Sequence, residues 1–180
     1  MVEWFVAGTA ALVLLQRLLE LAVAERNRKW MLDRGAVEYG SAHYPLFFLL
    51  HGAWFIGWVS ESLANAPGLS RWWVMWLLIL LASQLLRGWS MISLGPYWNT
   101  RILILPGGSL VRRGPYKYLR HPNYVAVAAE LFAVPMIFGC WMTACVIAAA
   151  NGILLLRIRL PQEEAALGRI NVEPDKQGPR

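Results

Sequence analysis

Five apolar runs, separated by segments dense in Gly, Pro, Lys and Arg, set the pattern of this chain. A helix rises about 1.5 Å per residue and a bilayer core is about 30 Å thick, so a spanning helix needs about 20 apolar residues. Residues 4–23 meet that requirement, with Gln16, Arg17 and Glu20 near the inner end. The polar stretch "ERNRKWMLDRGAVEYGSAHYP" follows; its first part extends the helix along the interface, and Gly35 and Gly40 punctuate it. Further spans run from Pro45 to Leu63, Arg71 to Leu94, Pro122 to Phe138 and Trp141 to Leu160, with "NAPGLSR" and "GCW" as turns. Residues 95–121 break the pattern, and "RILIL" followed by "GGSLV" predicts a short hairpin there. The sequence past Leu167 is polar and without periodicity.

The expected fold is an all-α integral membrane protein of about five transmembrane helices, with one cytoplasmic pocket built from the C-terminal half. The single membrane domain, 1–180, divides into three N-terminal spans (1–94), a cytoplasmic loop (95–121), a helical hairpin (122–160) and a cytoplasmic tail (161–180). Composition agrees: 57% of residues are hydrophobic, only 16% are charged, and ten are Trp. A soluble chain of this length could not bury so much apolar surface. The first run lacks a basic leader and a small-residue cleavage site, so it reads as a retained span.

The net charge of +6 resides mainly in residues 24–34, in 95–121 and after Leu156. Its placement between apolar runs fits membrane orientation and anionic lipid or an anionic cofactor, and no basic reading element for nucleic acid accompanies it. The positive-inside rule puts the N-terminus outside and both polar clusters in the cytosol. Cys140 and Cys145 have no metal-ligand or disulfide spacing and read as small packing residues. His43 and His51 likewise read as packing groups at the second span; no metal is expected.

Three features could carry chemistry. In "GPYKYLRHPNY", Pro122 suits a first helical turn, and His121 then sits at a helix mouth whose free N–H groups favour an anion. Tyr116, Tyr118 and Tyr124 offer flat faces for an adenine-like ring, although an interfacial tyrosine belt gives the same pattern. In "RIRLPQEEAAL", Arg159 and Glu163 share a face if the helix continues, in the less favourable cation-first order, while Pro161 predicts a kink or break. The alternative there is plain arginine anchoring at the interface. Glu130, inside the fourth span, is costly unless it faces a polar cavity or a basic partner on another helix. In the first case it lines the same cavity and contacts substrate.

"GPYKYLRHPNY", an apolar hairpin and then "RIRLPQEEAAL" resemble the isoprenylcysteine carboxyl methyltransferase family and its phospholipid methyltransferase relatives, closely over residues 95–167. The segment "ERNRKWMLDRGAVEYGSAHYP" looks like the bacterial branch that includes alkylpyrone O-methyltransferases. The resemblance implies S-adenosylmethionine as cofactor and S-adenosylhomocysteine as product. It places Tyr116, His121, Pro122, Asn123, Tyr124 and Glu163 on the cofactor, with Gly108, Ser109, Leu110 and Val111 closing over it. Arg159 would orient a substrate anion, and Arg159 and Glu163 would be the catalytic pair. The implied substrate is a lipophilic or prenylated molecule bearing a carboxylate or acidic enol, met at a membrane lipid surface. A bacterial inner membrane fits, with the site facing the cytoplasm. The rival enzyme is a lipid amine N-methyltransferase, with Glu130 or Glu164 as base. The non-enzymatic rivals are a small transporter or assembly factor lined by Glu130 and Gln84, and a sensor that binds cofactor without turnover.

Overall fold

The computed structural model describes residues 2–65 and 68–170. Helix α1, Val2–Leu32, has 31 residues and a length of about 46 Å, so it outruns a bilayer core by several turns. The first part of the polar stretch, up to Leu32, is therefore a continuation of that helix, as expected. Helices α2 (Tyr44–Ala64), α3 (Trp73–Leu94), α4 (Pro122–Ile137) and α5 (Trp141–Leu154) follow the apolar runs closely. Among the described residues, four segments are long and apolar enough to cross a membrane: Glu3–Leu32, Ser41–Ala64, Trp73–Tyr97 and Trp141–Gly168. Helix α4 is shorter, at 16 residues. It is also the central helix, packed on α3 and α5, and Leu131, Ala133, Val134 and Ile137 are all buried.

Pro135 explains one detail of the core. A proline inside α4 cannot donate to the carbonyl of Leu131, one turn back. The indole Nε1–H of buried Trp54 on α2 donates to that carbonyl instead, at 2.8 Å. The same aromatic layer continues through Trp58, whose ring stacks on Phe138 at 5.4 Å. Trp54→Phe keeps an aromatic ring but loses the indole N–H and some buried volume, so it orphans the carbonyl and is expected to cost about 1–3 kcal/mol, measurable as lower resistance to unfolding in detergent.

The polar end of the bundle departs from an all-α reading. Strand β1 (Val37–Tyr39) pairs antiparallel with β2 (Ile102–Ile104), in the register Val37 opposite Ile104. "RILIL" does form a strand, but "GGSLV" is not its partner. The reason is burial. All three β2 residues are buried, and the strand needs cover on both faces. Leu103 packs with Met31 and Ala36 at the end of α1, while Ile102 and Ile104 pack with Ala166. Tyr39 of β1 joins the cover over Ile102 and Ile104. Residues 108–113 instead run as irregular chain beside the ribbon.

Past α5 the chain does not end in a tail at Pro161. A π-helical turn, Leu155–Arg159, leads directly into α6, Leu160–Ile170. Pro161 has no N–H for the Arg157 carbonyl, and the backbone absorbs this by widening: Leu160 N–H reaches back to Leu155 O. Within the expected tail, residues 171–180 lie outside the described residues.

Candidate active site

A cavity of about 780 Å³ lies at the polar end, bounded by the mouth of α4, the 95–121 segment, the ribbon and α6. The π turn sets its deepest charged group. Arg159 is buried, its Nε donating to the Tyr124 hydroxyl at 2.9 Å and its Nη2 to the Thr100 carbonyl at 3.0 Å. The helix continues, as the shared face of Arg159 and Glu163 requires, and Glu163 Oε2 lies 3.8 Å from Arg159 Nε. The Tyr124 hydroxyl donates to the same Glu163 oxygen. His121 stacks on the Tyr124 ring at 5.5 Å, with Nδ1 3.7 Å from Glu163 Oε1 and Nε2 3.8 Å from Glu164 Oε1. The structure thus brings the two distant motifs together into one cluster.

The mouth of α4 is less open than expected. His121 occupies the N-cap without a side-chain cap, and Pro122 enters the first turn. The N–H groups of Tyr124 and Val125 fold back onto His121 O. The positive end of the helix dipole remains directed at the cavity. Beside it, Asn123 Oδ1 is buried without a hydrogen-bond partner, and so is Trp98 Nε1; both residues line the cavity.

Tyr116 and the Gly108, Ser109, Leu110 and Val111 stretch line the cavity as well. Tyr118 does not; it is 74% exposed. The Tyr116 loop is fastened to α3. Arg113 Nε donates to Ser93 O at 2.8 Å, and Gly114, at φ +59°, passes so close that a Cβ would sit 1.9 Å from Ser93 Oγ. Only glycine fits that backbone and that approach.

Glu130 is not at the cavity. It is 1% exposed and held by Arg17 Nη2 at 2.8 Å and Arg87 Nη1 at 3.0 Å. Glu20 closes a ring of alternating charge, 3.0 Å from Arg17 and 2.5 Å from Arg87. The expectation that Glu130 contacts substrate is therefore corrected to an ion-pair role between helices. The sequence did hold a signal for it: Arg17, Glu20, Arg87 and Glu130 all fall in apolar runs, and their charges cancel. Gln84 accepts a hydrogen bond at 2.8 Å from Gln16, which also donates to Glu20 of the ring at 2.9 Å. His51 is bound to its own helix through Phe47 O, and His43 packs against Phe47; neither lines the cavity. Cys140 is buried as a packing residue, whereas Cys145 is exposed.

Sequence reasoning placed the 95–121 segment at the site but did not single out the residues at its start, nor Met31. Leu94, Tyr97, Trp98, Asn99 and Arg101 line the cavity, and Met31 from α1 adds one residue of the N-terminal half to a wall otherwise built from the C-terminal half. Asn27 on α1 fixes this wall by donating to Trp98 O at 2.8 Å, and Asn99 reciprocates to Ala24 O at 2.8 Å. Arg101 pairs with Glu38 at 2.5 Å and lies over the Tyr44 ring. An Asn on the polar extension of α1 and a Trp-Asn pair after "GP" were the only traces of this in the sequence.

The hydrogen bond to Glu163 raises the His121 pKa above its ordinary 6.5, against the opposing effect of burial. A raised folded-state value means that the stabilisation is fully present below about 6.5 and is lost as pH rises through the folded value. His121→Gln should flatten that dependence. Melting curves between about pH 5.5 and 8.5 for both proteins check it, and parallel curves would refute it.

The model of the isoprenylcysteine carboxyl methyltransferase family matches residues 74–169, from α3 through α6. A Bacillus subtilis protein named "Uncharacterized protein YpbQ" is 37% identical over 163 residues, covering 91% of this chain and 96% of that protein. A Haemophilus influenzae "Uncharacterized protein" is 27% identical over 167 residues, covering 92% and 96% respectively. No solved structure gives a significant match. The apolar helices make this an integral membrane protein, and the cluster of Tyr116, His121–Tyr124, Arg159 and Glu163 falls inside the matched region. The chain belongs to the isoprenylcysteine carboxyl methyltransferase family, a family of membrane methyltransferases.

Proposed function

We propose that this protein is an S-adenosylmethionine-dependent O-methyltransferase acting on a carboxylate or acidic enol of a lipophilic substrate. The observation that carries the reading is the joining of Arg159, Tyr124, Glu163 and His121 beside an approximately 780 Å³ cavity with an apolar far wall. Orientation follows from loop charge: five crossings, the N-terminus outside, and the cavity facing the cytosol of a bacterial inner membrane.

The residues suit the cofactor. Its amino-acid end carries an ammonium and a carboxylate beside the cationic sulfonium, its ribose carries hydroxyls and its adenine needs flat cover. The positive end of α4 favours a carboxylate, and Glu163 accepts from an ammonium or a hydroxyl. Asn123 Oδ1 is a buried acceptor lacking a donor, and Tyr116 supplies an aromatic wall. When bound, the cofactor supplies an electrophilic methyl group on a sulfonium. The protein's task is then positioning. Arg159 has Nε and Nη2 engaged, which leaves Nη1 for a substrate anion. A carboxylate is already ionised at neutral pH and needs no base. Methylation removes its charge, so the ester is held less firmly by Arg159 than the substrate was. Tyr97, Trp98, Met31 and Leu103 give an apolar surface for the rest of the substrate.

An amine substrate would need a base. Glu130 is sealed in the ion ring, and Glu164 already faces Arg120 at 3.5 Å and His121. Both observations favour oxygen as the acceptor. Gln84 and Glu130, which would line a transporter, are engaged between helices. The experiment incubates nanodisc-embedded protein with methyl-labelled S-adenosylmethionine and a membrane lipid extract. Label in a base-labile ester, or in an enol ether of an apolar product, supports the reading. Label on a cationic amine headgroup, or no transfer by a protein that still binds cofactor, would refute it.

A further inference from the structure

The ring of Arg17, Glu20, Arg87 and Glu130 lies outside the cavity, yet its position in the fold connects it to both walls. Helices α3 and α4 run antiparallel and pack on each other more extensively than any other pair. Arg87 lies about two turns before the cavity end of α3, and Glu130 about two turns after the cavity end of α4. Their contact at 3.0 Å therefore ties the two helices at matching depth. Arg17 and Glu20 close the ring from α1, so each carboxylate lies between two guanidinium groups.

One turn nearer the cavity from Arg87, buried Ser90 donates to Leu86 O at 2.7 Å, and the turn Gly114–Lys117 that carries Tyr116 packs on this part of α3. Ser93, the next residue along that face, carries the Arg113 and Gly114 anchors. The place of Tyr116 is thus set by α3. Tyr124, with its bonds to Glu163 and Arg159, is set by α4. Any slide of one helix along the other changes the spacing of these two walls. Apolar side chains in a bilayer resist sliding weakly, because lipid is as apolar as they are. A charge-paired contact has one good register and is costly in every other.

We infer that the Arg17–Glu20–Arg87–Glu130 ring is a register lock between α3 and α4 that positions Tyr116 against Tyr124 across the cavity. Its four members are positioning residues, and only the activity arm of the test rests on the methyltransferase reading. Stability and positioning can be tested separately, because a buried ion network replaced whole by apolar residues often keeps its stability.

The test compares wild type with the quadruple variant Arg17→Leu/Glu20→Leu/Arg87→Met/Glu130→Leu, with Glu130→Gln as a second variant should the first not fold. Fluorotyrosine at Tyr116 and Tyr124, assigned with the two Tyr→Phe variants, gives a fluorine NMR readout that needs no cofactor. The expected result is a quadruple variant with wild-type melting, split or broadened Tyr116 and Tyr124 signals, and kcat lower by about 10²-fold, the cost of roughly 1 Å of misplacement. Sharp wild-type signals together with kcat within twofold of wild type overturn the inference. A wild type that neither transfers methyl groups nor binds S-adenosylhomocysteine would sink the functional reading instead, and the fluorine spectra would still decide the register.

Discussion

Replacing Arg159 by alanine is expected to lower kcat/KM for methyl transfer by about 10²-fold, the size of loss that follows when a reacting group is misplaced by roughly 1 Å. The geometry gives the reason. Arg159 is buried, reaches the cavity from a π turn, and is fixed by the Tyr124 hydroxyl and the Thr100 carbonyl before any substrate arrives. The electrostatic aim therefore exists in the folded protein and needs no reorganisation. Alanine removes the charge and also releases Tyr124, which Glu163 shares. Arg159→Lys should recover only part of the loss, because an ammonium cannot hold two oriented partners and present a third donor as a planar fork does. Steady-state kinetics with labelled cofactor measure this. Full activity in Arg159→Ala would remove the group from the reaction.

Glu130→Ala should be the most destabilising single change in the membrane part of the chain, at about 3–5 kcal/mol. The carboxylate is 1% exposed and balances two guanidinium groups. Alanine leaves Arg17 and Arg87 facing each other within apolar surroundings, with only Glu20 to share. The control is Glu25→Ala. Glu25 pairs with Arg28 at 2.8 Å on the surface, where water and salt screen the pair, and its loss should leave the unfolding curve unchanged. Unfolding of both variants in detergent checks the contrast. Equal curves would mean that the ring is not a supporting contact.

The apolar runs were legible because a helix in a bilayer must be apolar over its full length, a constraint that acts residue by residue. Their ends were legible for a similar reason: Pro45 and Pro122 each enter a first helical turn. The joining of His121–Tyr124 to Arg159 and Glu163 was legible only through resemblance, since no local spacing connects residues so far apart. The pairing of Val37–Tyr39 with Ile102–Ile104 was not legible. Three-residue strands carry almost no period, and what selects the partner is cover from Met31 and Ala166, far away in the chain. The π turn was half legible. Pro161 announced a disturbance, but whether a helix breaks or widens depends on the contacts α6 makes beyond it. Glu130 went astray because a carboxylate in an apolar run demands a partner without saying which, and two arginines on other helices answered that demand.

Titrating S-adenosylhomocysteine into the nanodisc-embedded protein by calorimetry tests most directly whether the cavity holds a nucleoside sulfonium donor. One saturable site per chain, weakened by Glu163→Ala and by Tyr124→Phe, is the result the geometry predicts. Absence of binding heat, or an affinity that Glu163→Ala leaves unchanged, would contradict it.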